Sequence, residues 1–305
     1  MRYYYFNPVN KKCYFPTGFQ KYPLFTTFYQ PYKLSAVILW KIWRTSSLFR
    51  NMFSTHKPEK VLPINNIQKY VSSSSIFAFS LGTKGIEQKI TVLGIDTVTK
   101  ETFFIKYATS EIARNNVSNE GLVLQQISHL SFVPKLKLYV KEDNKFTLIK
   151  TSVLNGEKIK RQPLNAQLLK ILCDLTDERV QSNKKCNSIL RSCFAHGDFC
   201  PWNMLNNNGV IELYDWELAG QYPLGYDLFT YIFQYEFLVK EVIEFEKIIN
   251  SNINAIQQYF SYIKVKDWRP YLLEFSKLKH IIELEKENKD LIKPYLYLKK
   301  YSATL

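Results

Sequence analysis

HGDFCPWNML (196–205), followed by YDWELAG (214–220), is the stretch on which the reading of this chain turns. Asp198 stands five residues before Asn203, and Asp215 twelve residues after it. Such a set suits the transfer of a phosphoryl group. One carboxylate orients an acceptor hydroxyl and can take its proton, while an amide oxygen and a second carboxylate hold Mg²⁺ against nucleotide phosphates. IELYDW (211–216) reads as a short apolar strand that delivers Asp215 to a strand end, beside the loop bearing Asp198. Asp, Asn and Pro also crowd into ordinary turns. The weight therefore lies on the combination: His-Gly before Asp198, Asn-x-Leu from Asn203, then an apolar strand ending in Asp-Trp-Glu. His196 and Gly197 read as architectural, the ring packing the loop and the glycine permitting a turn. No second His or Cys stands nearby at ligand spacing, so His196 is not expected to bind metal.

The pattern H-G-D-x-x-x-x-N with a D-x-[DE] strand end resembles that of the aminoglycoside phosphotransferase/choline kinase-like family, across roughly 76–240 and most closely at 196–217. The resemblance implies an α+β, bilobal protein-kinase-like fold. A small antiparallel β N-lobe with one helix (76–153) and a mainly helical C-lobe (154–305) would follow a basic, aromatic N-terminal extension (1–75). It implies Asp198 as catalytic base, Asn203 and Asp215 as Mg²⁺ ligands, and transfer of the γ-phosphoryl of ATP or GTP to a hydroxyl of a small acceptor. It also implies that Asp227 ties its helix to the catalytic-loop backbone. Glu217 is either a further metal-shell carboxylate or an exposed strand-end acid.

An upstream lobe should then supply a phosphate-binding lysine. ITVLGID (90–96) and TFFIKYA (102–108), joined by a polar turn, read as a β-hairpin with Lys106 in its second strand. A lone lysine in an apolar strand is costly to bury without an anionic partner. The next segment (110–130) is helical in pattern, with Leu122, Ile127 and Leu130 on an apolar face, and it carries Glu120. By resemblance Lys106 binds the α/β-phosphates and Glu120 is its ion-pair partner; otherwise Lys106 snorkels and Glu120 is a solvated helix charge. SLGTKG (80–85) reads as a hairpin tip in which Gly82, Thr83 and Gly85 are candidates to cover the phosphates. It is neither a P-loop nor a G-x-G-x-x-G motif, and paired glycines also serve plain turn chemistry. A second hairpin is expected over 136–153, a hinge over 154–165 and a helix over 166–180. The remainder is helical in composition. By resemblance those helices build the acceptor pocket, and no motif among them names the acceptor.

Residues 1–75 hold 11 Lys/Arg against one acidic residue, Glu59, so +10 of the chain's net +14 lies there with 17 of the 47 aromatics. Within them, 34–53 is expected as one helix with Val37, Ile38, Ile42, Phe49 and Met52 near one face. Two readings stand. The segment anchors at an anionic membrane surface, or its aromatics, Trp40 and Trp43 among them, pack as an accessory layer on the N-lobe. Its apolar core is too short to span a bilayer. No RRM-, KH- or zinc-type motif points to nucleic acid, which is not expected as a partner. The five cysteines lack C-x-x-C pairing and read as reduced thiols. Cys200, in the catalytic loop, is a small packing residue and a candidate for thiol-reagent inactivation. The start lacks an apolar h-region, so the chain is expected in the cytoplasm, peripheral at the inner membrane surface if the extension anchors. Candidate acceptors are a sugar of a glycan or lipopolysaccharide precursor, an amino-alcohol such as choline, or an aminoglycoside; the basic extension favours a glycan- or lipid-linked sugar. Outside catalysis, the alternatives are a pseudokinase adaptor that keeps the fold and a membrane-recruited scaffold in which residues 1–75 carry the function.

Overall fold

The computed structural model describes residues 3–6, 13–29, 34–52, 54–55, 62–82, 84–159, 163–184 and 188–305. The chain divides into two compact units, one of residues 1–121 with 135–153, the other of 122–134 with 154–305.

In the first unit, period-two alternation builds one antiparallel sheet. Its elements are β1 (Tyr3–Phe6), β2 (Cys13–Pro16), α1 (Pro23–Thr27), α2 (Leu34–Thr45), α3 (Ser47–Asn51), β3 (Ser54–Thr55), α4 (Ile64–Gln68), β4 (Ser75–Ser80), β5 (Lys89–Asp96), β6 (Thr102–Ala108), α5 (Glu111–Gln126), β7 (Leu136–Glu142) and β8 (Phe146–Ser152). Eight strands run in the order β3-β1-β2-β4-β5-β6-β8-β7, neighbours antiparallel throughout. Both expected hairpins are present, β5–β6 and β7–β8. The extension is part of this sheet: β2 pairs with β4 through Cys13↔Ser80 and Tyr14↔Phe79. Alternate side chains then feed two separate cores. Tyr14, Phe77, Phe79, Phe103 and Ile105 lie in one, while Cys13, Phe15, Ala78 and Leu93 lie in the other, with Trp40 and Trp43. The two indoles stack at 5.3 Å and 17°, and Phe6 and Phe15 pack against both.

The expected single helix over 34–53 is two helices. Ser46 is extended and its hydroxyl accepts the Phe49 N–H at 3.3 Å, which ends α2 and caps α3. Phe49 packs with the tryptophans rather than on an outer face. The side of α2 turned from the core stays apolar, with Leu34, Ile38 and Ile42 exposed at 75%, 52% and 48%. Among the described residues, no helix is long and apolar enough to cross a membrane.

The second unit continues with β9 (Glu157–Lys158), α6 (Ala166–Asp177), β10 (Ser192–Ala195), β11 (Met204–Asn207), β12 (Val210–Leu213), β13 (Gly220–Pro223), α7 (Tyr226–Tyr235), α8 (Phe245–Tyr262), α9 (Arg269–Glu285) and α10 (Lys289–Ser302). Two small antiparallel sheets, β10-β13 and β12-β11-β9, carry the loops of interest. Behind them, α7 is buried nearly all round. Its Phe229 and Phe233 meet Phe275 of α9, which in turn meets Tyr295 of α10. A helix so enclosed can present a polar side chain only to a partner of matching chemistry.

Candidate active site

The loop after β10 is fixed from behind before any functional group is considered. Gly197 adopts φ 84°, and a Cβ there would lie 2.4 Å from the Leu218 carbonyl oxygen, so only glycine fits. The His196 and Gly197 N–H groups donate to the two oxygens of Asp227, at 2.6 and 3.0 Å. Asp227 stands in the first turn of α7, where the family resemblance placed a helix-to-loop tie. Burial pushes its carboxyl up, opposed by His196 and by the two backbone donors. The His196 ring is enclosed, 4.6 Å from that of Trp216. Its Nε2 lies 3.0 Å from the Tyr214 carbonyl oxygen and its Nδ1 3.3 Å from the Asp198 N–H, a pattern supplied by the ring protonated on Nε2. His196 is thus structural, with both nitrogens engaged.

That frame presents Asp198 with both carboxylate oxygens held. Asn203 Nδ2 donates to Oδ2 at 2.8 Å and to the Asp198 carbonyl at 2.9 Å. Gln234 Nε2 donates to Oδ1 at 3.0 Å, and the Cys200 thiol points at the same oxygen from 3.4 Å. With its nitrogen spent on Asp198, Asn203 has its amide oxygen as the atom suited to face a cation. Asp215 follows β12 with φ 70°, a left-handed conformation that Asp tolerates better than most residues. Carboxylate oxygens of Asp215 and Glu217 lie within 4.8 Å of one another, so Glu217 stands with Asp215 at the strand end. Two carboxylates and an amide oxygen are hard, all-oxygen donors, the chemistry Mg²⁺ selects.

In the first unit, Lys106 of β6 meets Glu120 of α5 at 2.5 Å, with side-chain exposures of 16% and 3%. The pairing expected from the resemblance is made, and Glu120 is no solvated helix charge. The β4–β5 tip is held by Gln88, which donates to the Leu81 carbonyl at 2.8 Å, and by Ser110, which donates to that of Ile86 at 2.6 Å. Gly82 needs its φ of 67°, since a Cβ would meet the Lys89 carbonyl oxygen at 2.7 Å; Gly85 has open space around it. Thr83 lies outside the described residues.

Cys200 departs from its expected reactivity. It is fully enclosed, and burial, reinforced by the nearby Asp198 charge, pushes its thiol well above the ordinary range. Sequence reasoning missed Gln234 and Lys279, whose Nζ donates to Gln234 Oε1 at 2.9 Å. The signal was available for the lysine: Leu272, Phe275, Ser276, Lys279 and Glu283 repeat every three or four residues on the buried stripe of α9.

The fold is protein-kinase-like, an antiparallel sheet unit and a mainly helical unit. Residues 130–245 match the family model described as APH, phosphotransferase enzyme family, which bears out the resemblance carried by the catalytic segment. Among solved structures, the fold is shared with an amicoumacin kinase determined with AMP-PNP and Ca²⁺ (TM-score 0.53, 14% identity, 82% of this chain and 95% of that one covered). It is also shared with an ethanolamine kinase of Plasmodium vivax (TM-score 0.55, 10% identity, 91% and 96% covered). At such identities the likeness is one of fold. No curated protein matches the chain in sequence.

Proposed function

We propose that the protein is a small-molecule kinase that moves the γ-phosphoryl group of ATP or GTP to a sugar hydroxyl of a glycan or lipopolysaccharide precursor. The observation that carries the kinase reading is the double anchoring of Asp198, on Oδ2 by Asn203 and on Oδ1 by Gln234. A carboxylate so held orients an acceptor hydroxyl and receives its proton as the new O–P bond forms and the bond to the nucleoside diphosphate breaks. Lys106, steadied by Glu120, holds the α/β-phosphates, and the backbone around Gly82, Thr83 and Gly85 covers them. Asn203 and Asp215 bind Mg²⁺, with Glu217 in support. When bound, the metal offsets the charge of the phosphate oxygens. The two kinases named above, one an ethanolamine kinase and one an amicoumacin kinase, agree with a small acceptor.

A thermal-shift series with ATP, GTP and ADP, each with and without Mg²⁺, tests this on wild type and Asp215→Ala. Stabilisation that needs Mg²⁺ and disappears in the variant is expected and identifies the donor, after which sugars and amino-alcohols are screened as acceptors. A folded protein that no nucleotide stabilises would leave a pseudokinase adaptor as the better reading.

The outer side of α2 favours a membrane-linked acceptor. Leu34, Ile38 and Ile42 form an exposed ridge with Lys41 beside it, and no Asp or Glu occurs before Glu59. An apolar ridge in a basic setting suits the interface of an anionic bilayer. A second copy would bring like charge against like. Flotation with phosphatidylglycerol vesicles, lost in Ile38→Glu/Ile42→Glu at unchanged Tm, is the expected result; no flotation of wild type would remove this reading.

A further inference from the structure

Behind Asp198 runs a buried polar line that ordinary packing does not require. Lys279 of α9 and Gln234 of α7 are 4% and 7% exposed, on helices otherwise committed to aromatic packing. Lys279 Nζ donates to Gln234 Oε1 at 2.9 Å, and Gln234 Nε2 donates to Asp198 Oδ1 at 3.0 Å. The Tyr295 hydroxyl lies 3.5 Å from the same Oε1, and the ammonium sits 5.2 Å from the centre of the Tyr226 ring.

A glutamine amide can turn over, exchanging its donor and acceptor ends. Here the ends meet groups that permit one orientation: an ammonium only donates and an ionised carboxylate only accepts. Lys279 therefore fixes the amide, and the amide fixes Asp198 Oδ1. With Asn203 on Oδ2, the plane of the carboxylate is set from both edges. Lysine is among the residues least often fully buried, and Leu or Met would fill its place without loss of hydration.

We propose that Lys279 and Gln234 are positioning residues for phosphoryl transfer: the lysine locks the glutamine amide, whose N–H holds the Asp198 carboxylate in the rotation that receives the acceptor proton. The inference rests on the kinase reading above. The competing account is that the three groups only satisfy one another inside the helical core.

The two accounts part in the double variant Gln234→Leu/Lys279→Met. It removes both buried polar groups together and replaces them with apolar side chains of similar size, so the fold has no orphaned ammonium. Gln234→Glu is the second variant, which keeps a partner for Lys279 and turns the donor facing Asp198 into an acceptor. Turnover of Mg·ATP with water as acceptor is measured alongside Tm, with Asp198→Ala as reference. Positioning predicts a Tm close to wild type, a kcat lower by about 100-fold in both variants, and a KM for ATP changed by less than about two-fold. Wild-type kcat in the double variant at retained Tm would overturn the proposal while leaving the kinase reading intact. Should the double variant not fold, Gln234→Glu decides by the same split, and wild-type kcat there overturns the proposal. Wild-type turnover no greater than that of Asp198→Ala would instead strike the kinase reading itself, and the proposal with it.

Discussion

Asp227 accepts the backbone N–H of His196 at 2.6 Å, and through its other oxygen it takes the N–H of Gly197 as well. One buried carboxylate thereby joins the first turn of α7 to the peptide that precedes Asp198. Replacing it takes the acceptor away from two enclosed amides, and Asp227→Ala is expected to cost about 2–5 kcal/mol. The pH dependence has a definite sign. Burial raises this carboxyl above its unfolded value, so its stabilising contribution is full below the ordinary carboxylate range and declines as pH rises through the raised value. The Tm advantage of wild type over Asp227→Asn should be largest at the acid end and shrink with rising pH. A difference that grows with pH would contradict this.

Lys106 lies 2.5 Å from a carboxylate that is 3% exposed. Lys106→Met is expected to lose about 2–4 kcal/mol in urea unfolding, because breaking such a pair strands a buried charge. Where protein remains folded, its KM for ATP should rise by at least about tenfold. An unchanged KM would detach Lys106 from the nucleotide.

Gly197→Ala forces a Cβ to within 2.4 Å of the Leu218 carbonyl oxygen at a φ of 84°. Backbone cannot yield as a side-chain tip can, so a loss of about 2–4 kcal/mol is expected by calorimetry. Gly85→Ala, in open space at φ 154°, should lose less.

Burial pushes the Cys193 thiol up to about 12 and the Cys200 thiol well above its usual range. Neither should react with iodoacetamide at about pH 8 in the folded protein, and both should react in urea. Peptide mapping by mass spectrometry reads this directly, and modification of native Cys200 would show that its loop opens.

The segment around Asp198 was legible because its chemistry depends on residue identities at fixed spacing, and the β5–β6 and β7–β8 hairpins because their partners are local. The strands of the extension were not. β1 and β2 are four residues each, β2 is buried on every residue, and its partner β4 lies far along the chain. An aromatic run with no alternation reads as a strand only once that partner is known. Ser46 hid a helix break within an apolar stretch. Gln234 was concealed by its surroundings, since YIFQY (231–235) reads as aromatic core and sequence alone shows no carboxylate opposite the amide. The Lys106–Glu120 pair was legible because a cation in an apolar strand needs an anion and a candidate acid stood in the next element.

The pairing of β2 with β4 also has a consequence in time. Tyr14 meets Phe79, a partner made roughly 65 residues later, or about 3–13 s at ordinary rates of synthesis. Until then the aromatics of β1 and β2 lack the strand that joins them to the rest of the sheet. The strands made before β4 are thus the ones that must wait, and the nascent chain rather than the finished protein is where this sequence most needs a chaperone's cover.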